Sequence, residues 1–172
     1  MNINQPVILC GFTSSGKTTI GKLLAEHLEL PFFDTDQMLT DQNNMTIIEI
    51  FAKGGEALFR DLEHEIAKQV CTLGPTEIST GGGMLTFPRN GELLTHHGLI
   101  IYFVRPFDHC YEILSRTPDR PLFKNNTREE LEALYNERKA KYLSYATHTI
   151  KNDSTREDAV TAICNILESS CR

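Results

Sequence analysis

Residues 11–18 read Gly-Phe-Thr-Ser-Ser-Gly-Lys-Thr, the pattern G-x-x-x-x-G-K-[ST], and the residues on either side constrain the fold as tightly as the loop itself. Pro6-Val7-Ile8-Leu9-Cys10 is a short apolar run that reads as a buried strand. From Thr19 to Glu29 apolar residues recur at Ile20, Leu23, Leu24 and Leu28, which is helical spacing. In a strand–glycine loop–helix unit, backbone N–H groups and the positive end of the helix dipole converge on one anion site. Lys17 adds a positive charge near the β- and γ-phosphates of a nucleotide, and the Thr18 hydroxyl is a ligand for Mg²⁺. A glycine turn that happens to precede a helix is the plain alternative. The motif specifies a nucleotide and leaves its use open.

The rest of the chain extends this unit. Short apolar runs at Val7–Cys10, Phe32–Phe33, Glu77–Ser79, Leu99–Val104 and Thr147–Ile150 alternate with helical patterns. Helices are predicted at about Lys17–Glu29, Thr46–Lys53, Glu56–Leu73, Asn90–His97, Phe107–Ser115, Arg128–Ala146 and Thr155–Glu168. Capping boxes support three starts: Thr46 with Glu49, Thr127 with Glu130, and Ser154 with Glu157. Alternation of this kind implies an α/β fold of three layers, α/β/α, around a central five-stranded parallel sheet. Ligands of such folds collect at the carboxyl ends of the strands. There the chain carries the phosphate loop, then Asp34-Thr35-Asp36, then Gly81-Gly82-Gly83.

Each of these has a functional and a plain reading. Asp34 and Asp36 flank one residue, so an extended backbone points both carboxylates the same way. One could serve the Mg²⁺ shell while the other takes a proton from an attacking hydroxyl; alternatively Asp34 is a helix N-cap. The triple glycine lets the backbone approach a ligand closely, or is a flexible turn. Arg60 and Arg138 lie on helical segments, where an arginine is usually solvated or paired with a neighbour such as Glu56 or Glu63. Brought together, they could clamp a carboxylate. Arg116-Thr117-Pro118-Asp119-Arg120-Pro121-Leu122 is a basic loop of the kind that closes over phosphates, or a surface connection.

Composition bounds the partners. The chain has 172 residues, enough for one domain, and a net charge of −6 without a basic tract, which argues against nucleic acid and anionic membranes. No stretch approaches ~20 apolar residues and the start lacks a signal pattern, so a cytoplasmic protein is expected. Five scattered cysteines, none in C-x-x-C spacing, argue against a disulfide framework or a structural zinc site. His96-His97 reads as a surface pair.

Together these segments resemble the shikimate kinase family over nearly the whole chain. The resemblance is carried by Gly11 to Thr19, Phe33-Asp34-Thr35-Asp36, Ile50 to Glu56, Phe59-Arg60-Asp61-Leu62-Glu63, Ser79 to Gly83, Arg120-Pro121-Leu122 and Glu137-Arg138. The resemblance implies a phosphate-loop kinase fold with a mobile lid at about 116–126 within a single domain, 1–172. It implies transfer of the γ-phosphoryl of ATP to the 3-hydroxyl of shikimate, on the chorismate route to aromatic amino acids. It also implies roles. Ser14, Ser15, Gly16, Lys17, Thr18 and Thr19 would bind the nucleotide, with Thr18 and Asp34 serving Mg²⁺. Asp36 would accept the proton; Lys17, Asp36 and Arg120 form the catalytic group. Arg60 and Arg138 would grip the acceptor carboxylate, with Glu63 orienting Arg60. Gly81, Gly82 and Gly83 would meet ring hydroxyls, and Phe51 and Phe59 would wall the pocket. Arg116 would lie against adenine, with Thr155 and Arg156 nearby. Small molecules are the expected partners, and a monomer the expected state.

Two departures stand out. Ser14 replaces a glycine common in the family, and ATP binding is expected to survive this. The stretch from Arg116 to Arg120 is shorter than usual, which bears on Arg116 more than on Arg120. A gluconate kinase and a nucleotide-binding module without catalysis are the rival readings.

Overall fold

In the computed structural model, residues 3–116 and 121–170 are described. Strands β1 (Val7–Cys10), β2 (Phe32–Asp34), β3 (Glu77–Ser79), β4 (Leu99–Val104) and β5 (His148–Lys151) form one parallel sheet in the order β2-β3-β1-β4-β5. Its faces are covered by α1 (Lys17–Leu28), α2 (Thr35–Asn43), α3 (Ile47–Val70), α4 (Pro88–Thr95), α5 (Phe107–Ser115), α6 (Pro121–Lys124), α7 (Arg128–Tyr145) and α8 (Arg156–Ser170).

β1 and β4, in the middle of the sheet, read as unbroken apolar runs because both of their faces are buried. Along β1, Ile8 and Cys10 pack into the larger core under α3, α4, α5 and α7, while Val7 and Leu9 face the smaller core under α1 and α8. Ile100 and Tyr102 of β4 repeat the first side; Leu99, Ile101 and Phe103 repeat the second. Cys10 and Cys164 are buried hydrophobes, and every described cysteine is free.

The differences from the sequence reading are local. Helix α2 is absent from that reading because its only large apolar side chains are Met38 and Leu39, too few to set a period. The two helices expected at Thr46–Lys53 and Glu56–Leu73 join into α3, broken at Gly55, whose φ of 65° suits glycine. The capping boxes at Thr46 and Thr127 are present. The third is one residue later than expected: Thr155 and Asp158, not Ser154 and Glu157, exchange backbone-to-side-chain hydrogen bonds of 3.1 and 3.2 Å. Both pairs have the i, i+3 spacing, so the start of α8 at Arg156 decides between them.

Glu77 on β3 is fully buried beneath α1. Ser79 Oγ lies 3.3 Å from its Oε1, and Oε2 has no partner among the described residues. A Cβ at Gly21 would come within 2.6 Å of this carboxyl, so glycine there makes room for it. Burial raises its pKa well above 4.5, and the nearby Asp34 adds to the rise. The folded state therefore holds a proton that the unfolded chain releases above about pH 4.5, and stability falls as pH rises from there. Glu77→Gln is expected to raise Tm at pH 8 by several degrees, at ~2–4 °C per kcal/mol for a domain of this size, and to leave Tm near pH 4.5 almost unchanged. Calorimetry across pH 4.5–9 checks this; a Tm difference that does not widen with pH would contradict a protonated Glu77.

Candidate active site

The phosphate loop runs from the end of β1 to the start of α1. Lys17 is 7% exposed, and its Nζ donates to Gly11 O (2.8 Å) and Phe12 O (2.9 Å), with Ser15 Oγ at 3.4 Å. Burial is the largest influence on its ammonium and lowers its pKa, while the Asp36 carboxylate opposes that shift. Ser14 takes φ 65°, a left-handed conformation that costs an L residue roughly 1–2 kcal/mol. The position left open by the general pattern is thus one where glycine fits more easily. Ser14, Gly16, Thr18 and Thr19 line the same cavity as Lys17, whereas Ser15 is buried behind the loop.

At the end of β2, Asp34 caps α2 with one oxygen and meets the phosphate loop with the other. Its Oδ1 accepts from the N–H groups of Asp36 (3.0 Å) and Gln37 (3.2 Å), capping α2, and its Oδ2 accepts from Thr18 Oγ1 at 2.7 Å. The expectation of two carboxylates side by side on extended backbone is corrected: Asp34 is extended, but Asp36 lies in the first turn of α2. The helix turns Asp36 toward the triple glycine instead.

That glycine segment, after β3, is packed on three sides by polar side chains. A Cβ at Gly81 would collide with the Asp36 carboxylate. One at Gly82 would lie 2.8 Å from Thr13 Oγ1 and 3.6 Å from Arg138 Nη1, and one at Gly83 would strike the Arg60 guanidinium. Gly82 O accepts from Arg138 Nη1 at 3.2 Å and from the buried Tyr142 hydroxyl. Glycine suits all three positions because the side chains of Asp36, Thr13, Arg138 and Arg60 converge on the backbone there. Gly83→Ala is expected to push Arg60 Nη1 aside, raising KM for the acceptor about tenfold, the worth of one charge-linked hydrogen bond, with nucleotide affinity nearly unchanged and Tm at pH 8 lowered, because the same Nη1 holds Glu63. Steady-state kinetics with each substrate varied in turn checks this, and an unaltered acceptor KM would count against the contact.

Arg60 is far from the solvated arginine of the plain reading. Its side chain is 12% exposed, with Nε donating to Glu56 at 3.1 Å and Nη1 to Glu63 at 2.7 Å. The guanidinium carbon lies over the rings of both Phe59 (5.0 Å) and Phe87 (4.7 Å). Burial pushes the Glu63 carboxyl up to about 7, against the pull of Arg60. Phe51 lines the cavity, and Phe59 stacks behind it at 4.9 Å. His96 and His97 are exposed and bonded to carbonyls of their own helix.

On the other side of the loop, Arg116 lines the cavity but donates to Glu112 at 2.5 Å, and Thr155 caps α8 at the rim. Arg120 lies outside the described residues. The sequence reading passes over two further residues. Asn152, just after β5, donates Nδ2 to Ser15 O at 2.8 Å and pins the loop; Arg105, just after β4, lies beside Gly16. Applying the strand-end rule to β4 and β5 points to both. Lys17, Asp36, Arg60, Arg105, Arg138 and Asn152 all line one open cavity of about 2370 Å³, well beyond the ~300–1,000 Å³ of a single-ligand pocket.

A parallel sheet in this order, with a lysine-bearing phosphate loop on its central strand and a polar pocket across from it, defines a phosphate-loop kinase fold. The family model for shikimate kinase matches residues 13–168. The chain is 34% identical over 172 residues to the shikimate kinase of Mesorhizobium japonicum, covering 98% of this chain and 82% of that one. It is 35% identical to that of Macrococcus caseolyticus over 93% and 95% of the two chains. The solved shikimate kinase of Acinetobacter baumannii, a complex with shikimate, superposes with TM-score 0.91 at 30% identity over 96% of this chain and 94% of that one. The chain belongs to the shikimate kinase family. A gluconokinase from Sinorhizobium meliloti matches with TM-score 0.61 at 11% identity over 100% of both chains, a likeness of fold alone.

Proposed function

We propose that the protein transfers the γ-phosphoryl group of ATP to the 3-hydroxyl of shikimate, giving shikimate 3-phosphate and ADP on the chorismate route. The observation that carries this is the convergence of Asp36, Arg60 and Arg138 on Gly81–Gly83, across one cavity from Lys17. Arg60 and Arg138 bind the acceptor carboxylate. Each uses part of its five-donor fork on the protein, which fixes its plane and leaves donors for the ligand. The glycine backbone and Asp36 receive the ring hydroxyls.

In the transfer, the acceptor hydroxyl oxygen bonds to the γ-phosphorus while the bond from that phosphorus to the β,γ-bridging oxygen breaks. The electron pair leaves on ADP, and the hydroxyl proton passes to the Asp36 carboxylate. Lys17 and the loop N–H groups neutralise charge on the phosphates, which is where most of the catalysis lies. The roles of Arg120 on the lid at 116–126 and of Arg116 and Thr155 near the base belong to this proposal. Thr18 Oγ1 and Asp34 Oδ2 are hard oxygen donors 2.7 Å apart, a set that suits Mg²⁺ shared with phosphates. Bound there, the ion would draw charge from the phosphate oxygens.

The single sheet, whose strands run from Val7 to Lys151, supports one domain over 1–172, and a monomer belongs to the same proposal. Among the described residues no helix is long and apolar enough to cross a membrane, and a need for ATP supports the cytoplasm. ADP release coupled to NADH oxidation, with shikimate, gluconate or no acceptor, is the test. Turnover with shikimate alone is expected. Turnover only with gluconate would overturn the acceptor, and the absence of any acceptor-dependent turnover would overturn the kinase reading.

A further inference from the structure

We propose that Arg105 is a nucleotide-binding residue that holds the diphosphate part of the donor from the β4 side of the phosphate loop. Arg105 follows Val104, the last residue of β4, and lines the cavity. Its Nη1 lies 3.8 Å from where a Cβ of Gly16 would stand, beside the residue that opens α1. Its Nε is buried and has no hydrogen-bond partner among the described residues. A buried guanidinium N–H without an acceptor carries a desolvation cost, and an anion placed at the loop would remove it.

The backbone beneath it is fixed. The Arg105 carbonyl accepts from the Tyr135 hydroxyl at 2.8 Å, and the Cys110 thiol lies 3.8 Å away. Asn152 N donates to Val104 O at 2.7 Å, so β5 braces the same strand end. The Asn152 side chain holds Ser15 O from this side, which keeps the loop and Arg105 in register. Three of the cavity's other arginines are engaged elsewhere, and the fourth, Arg156, is exposed at the start of α8. Arg60 and Arg116 are each paired with glutamates, and Arg138 donates to Gly82 O on the acceptor side. Among the described residues Arg105 forms no ion pair. A fork of donors at the N-terminus of α1 adds a side-chain charge to an anion site otherwise built from backbone groups and Lys17.

The inference rests on reading the loop as the donor site, and its test measures binding, so an error in the acceptor leaves it intact. Titration calorimetry with ADP and Mg²⁺ is run on the parent protein, Arg105→Gln and Arg105→Lys. Arg105→Gln is expected to weaken ADP binding at least tenfold, a gap that narrows from 20 mM to 500 mM salt as screening removes the charge term. Arg105→Lys should recover most of the loss, and the acceptor KM should stay within twofold. ADP affinity unchanged in Arg105→Gln would overturn the assignment. Equal losses in both variants would also overturn it, since packing rather than charge would then be at work. A parent protein that fails to bind ADP would overturn this inference together with the donor reading.

Discussion

Asp36→Asn is expected to lower kcat by about 10²–10⁴-fold, the usual worth of a positioned proton acceptor, while ATP affinity changes little. The substitution keeps shape and removes only charge. Asparagine still fits against Gly81, where a Cβ would collide with the present carboxylate, so the first turn of α2 has no reason to move. Its side effect falls on Lys17. The Asp36 carboxylate is the strongest influence opposing burial of that ammonium, so the variant lowers the lysine pKa further. The residual kcat should therefore fall at high pH earlier than in the parent. Single-turnover rates from pH 6 to 10, alongside ATP binding, separate the two effects. A normal kcat would remove Asp36 from the chemistry.

Arg60→Ala has two consequences, which a second substitution separates. Loss of the clamp should weaken acceptor binding by about 1.5–3 kcal/mol, roughly ten- to a hundredfold, and leave ATP binding nearly intact. Loss of the ion pair also strands Glu63, which is 1% exposed and already has one oxygen without a partner among the described residues. Its pKa, pushed up to about 7 with Arg60 present, rises further without it. A buried acid with a raised pKa supports folding fully below its unfolded value near 4.5 and less as pH climbs. The single variant should thus lose more Tm at pH 8 than at pH 5. Arg60→Ala with Glu63→Gln should regain much of that Tm and none of the acceptor affinity. If the double variant binds shikimate normally, Arg60 is a structural partner of Glu63 and nothing more.

Much of this was legible in the sequence because local rules and tertiary demands agree. Strands buried on both faces, as β1 and β4 are, must be apolar throughout; all five strands were readable to within a residue, and the phosphate loop carries its own context. What was not legible depends on contacts far along the chain. Nothing near Arg60 predicts the ring of Phe87 against it, and nothing near Gly82 predicts the hydroxyl of Tyr142. Helix α2 hides behind polar residues and is betrayed only by Asp34, whose capping and metal-side readings were weighed as rivals. The structure shows the cap and leaves the second oxygen on Thr18, so one carboxylate serves α2 and the phosphate loop at once. Arg105 and Asn152 lie where the strand-end rule points, but no motif marks them.

The strand order has a further consequence. With β1 in the middle, the residues proposed for the donor beyond the loop follow β4 and β5, and those proposed for the acceptor, apart from Arg138, follow β2 and β3. Apart from Arg138 on α7, the proposed acceptor side is encoded in one contiguous stretch, from Asp36 to Phe87. A lineage could replace that stretch and keep its nucleotide machinery, so a change of substrate requires rewriting one internal cassette rather than the whole gene.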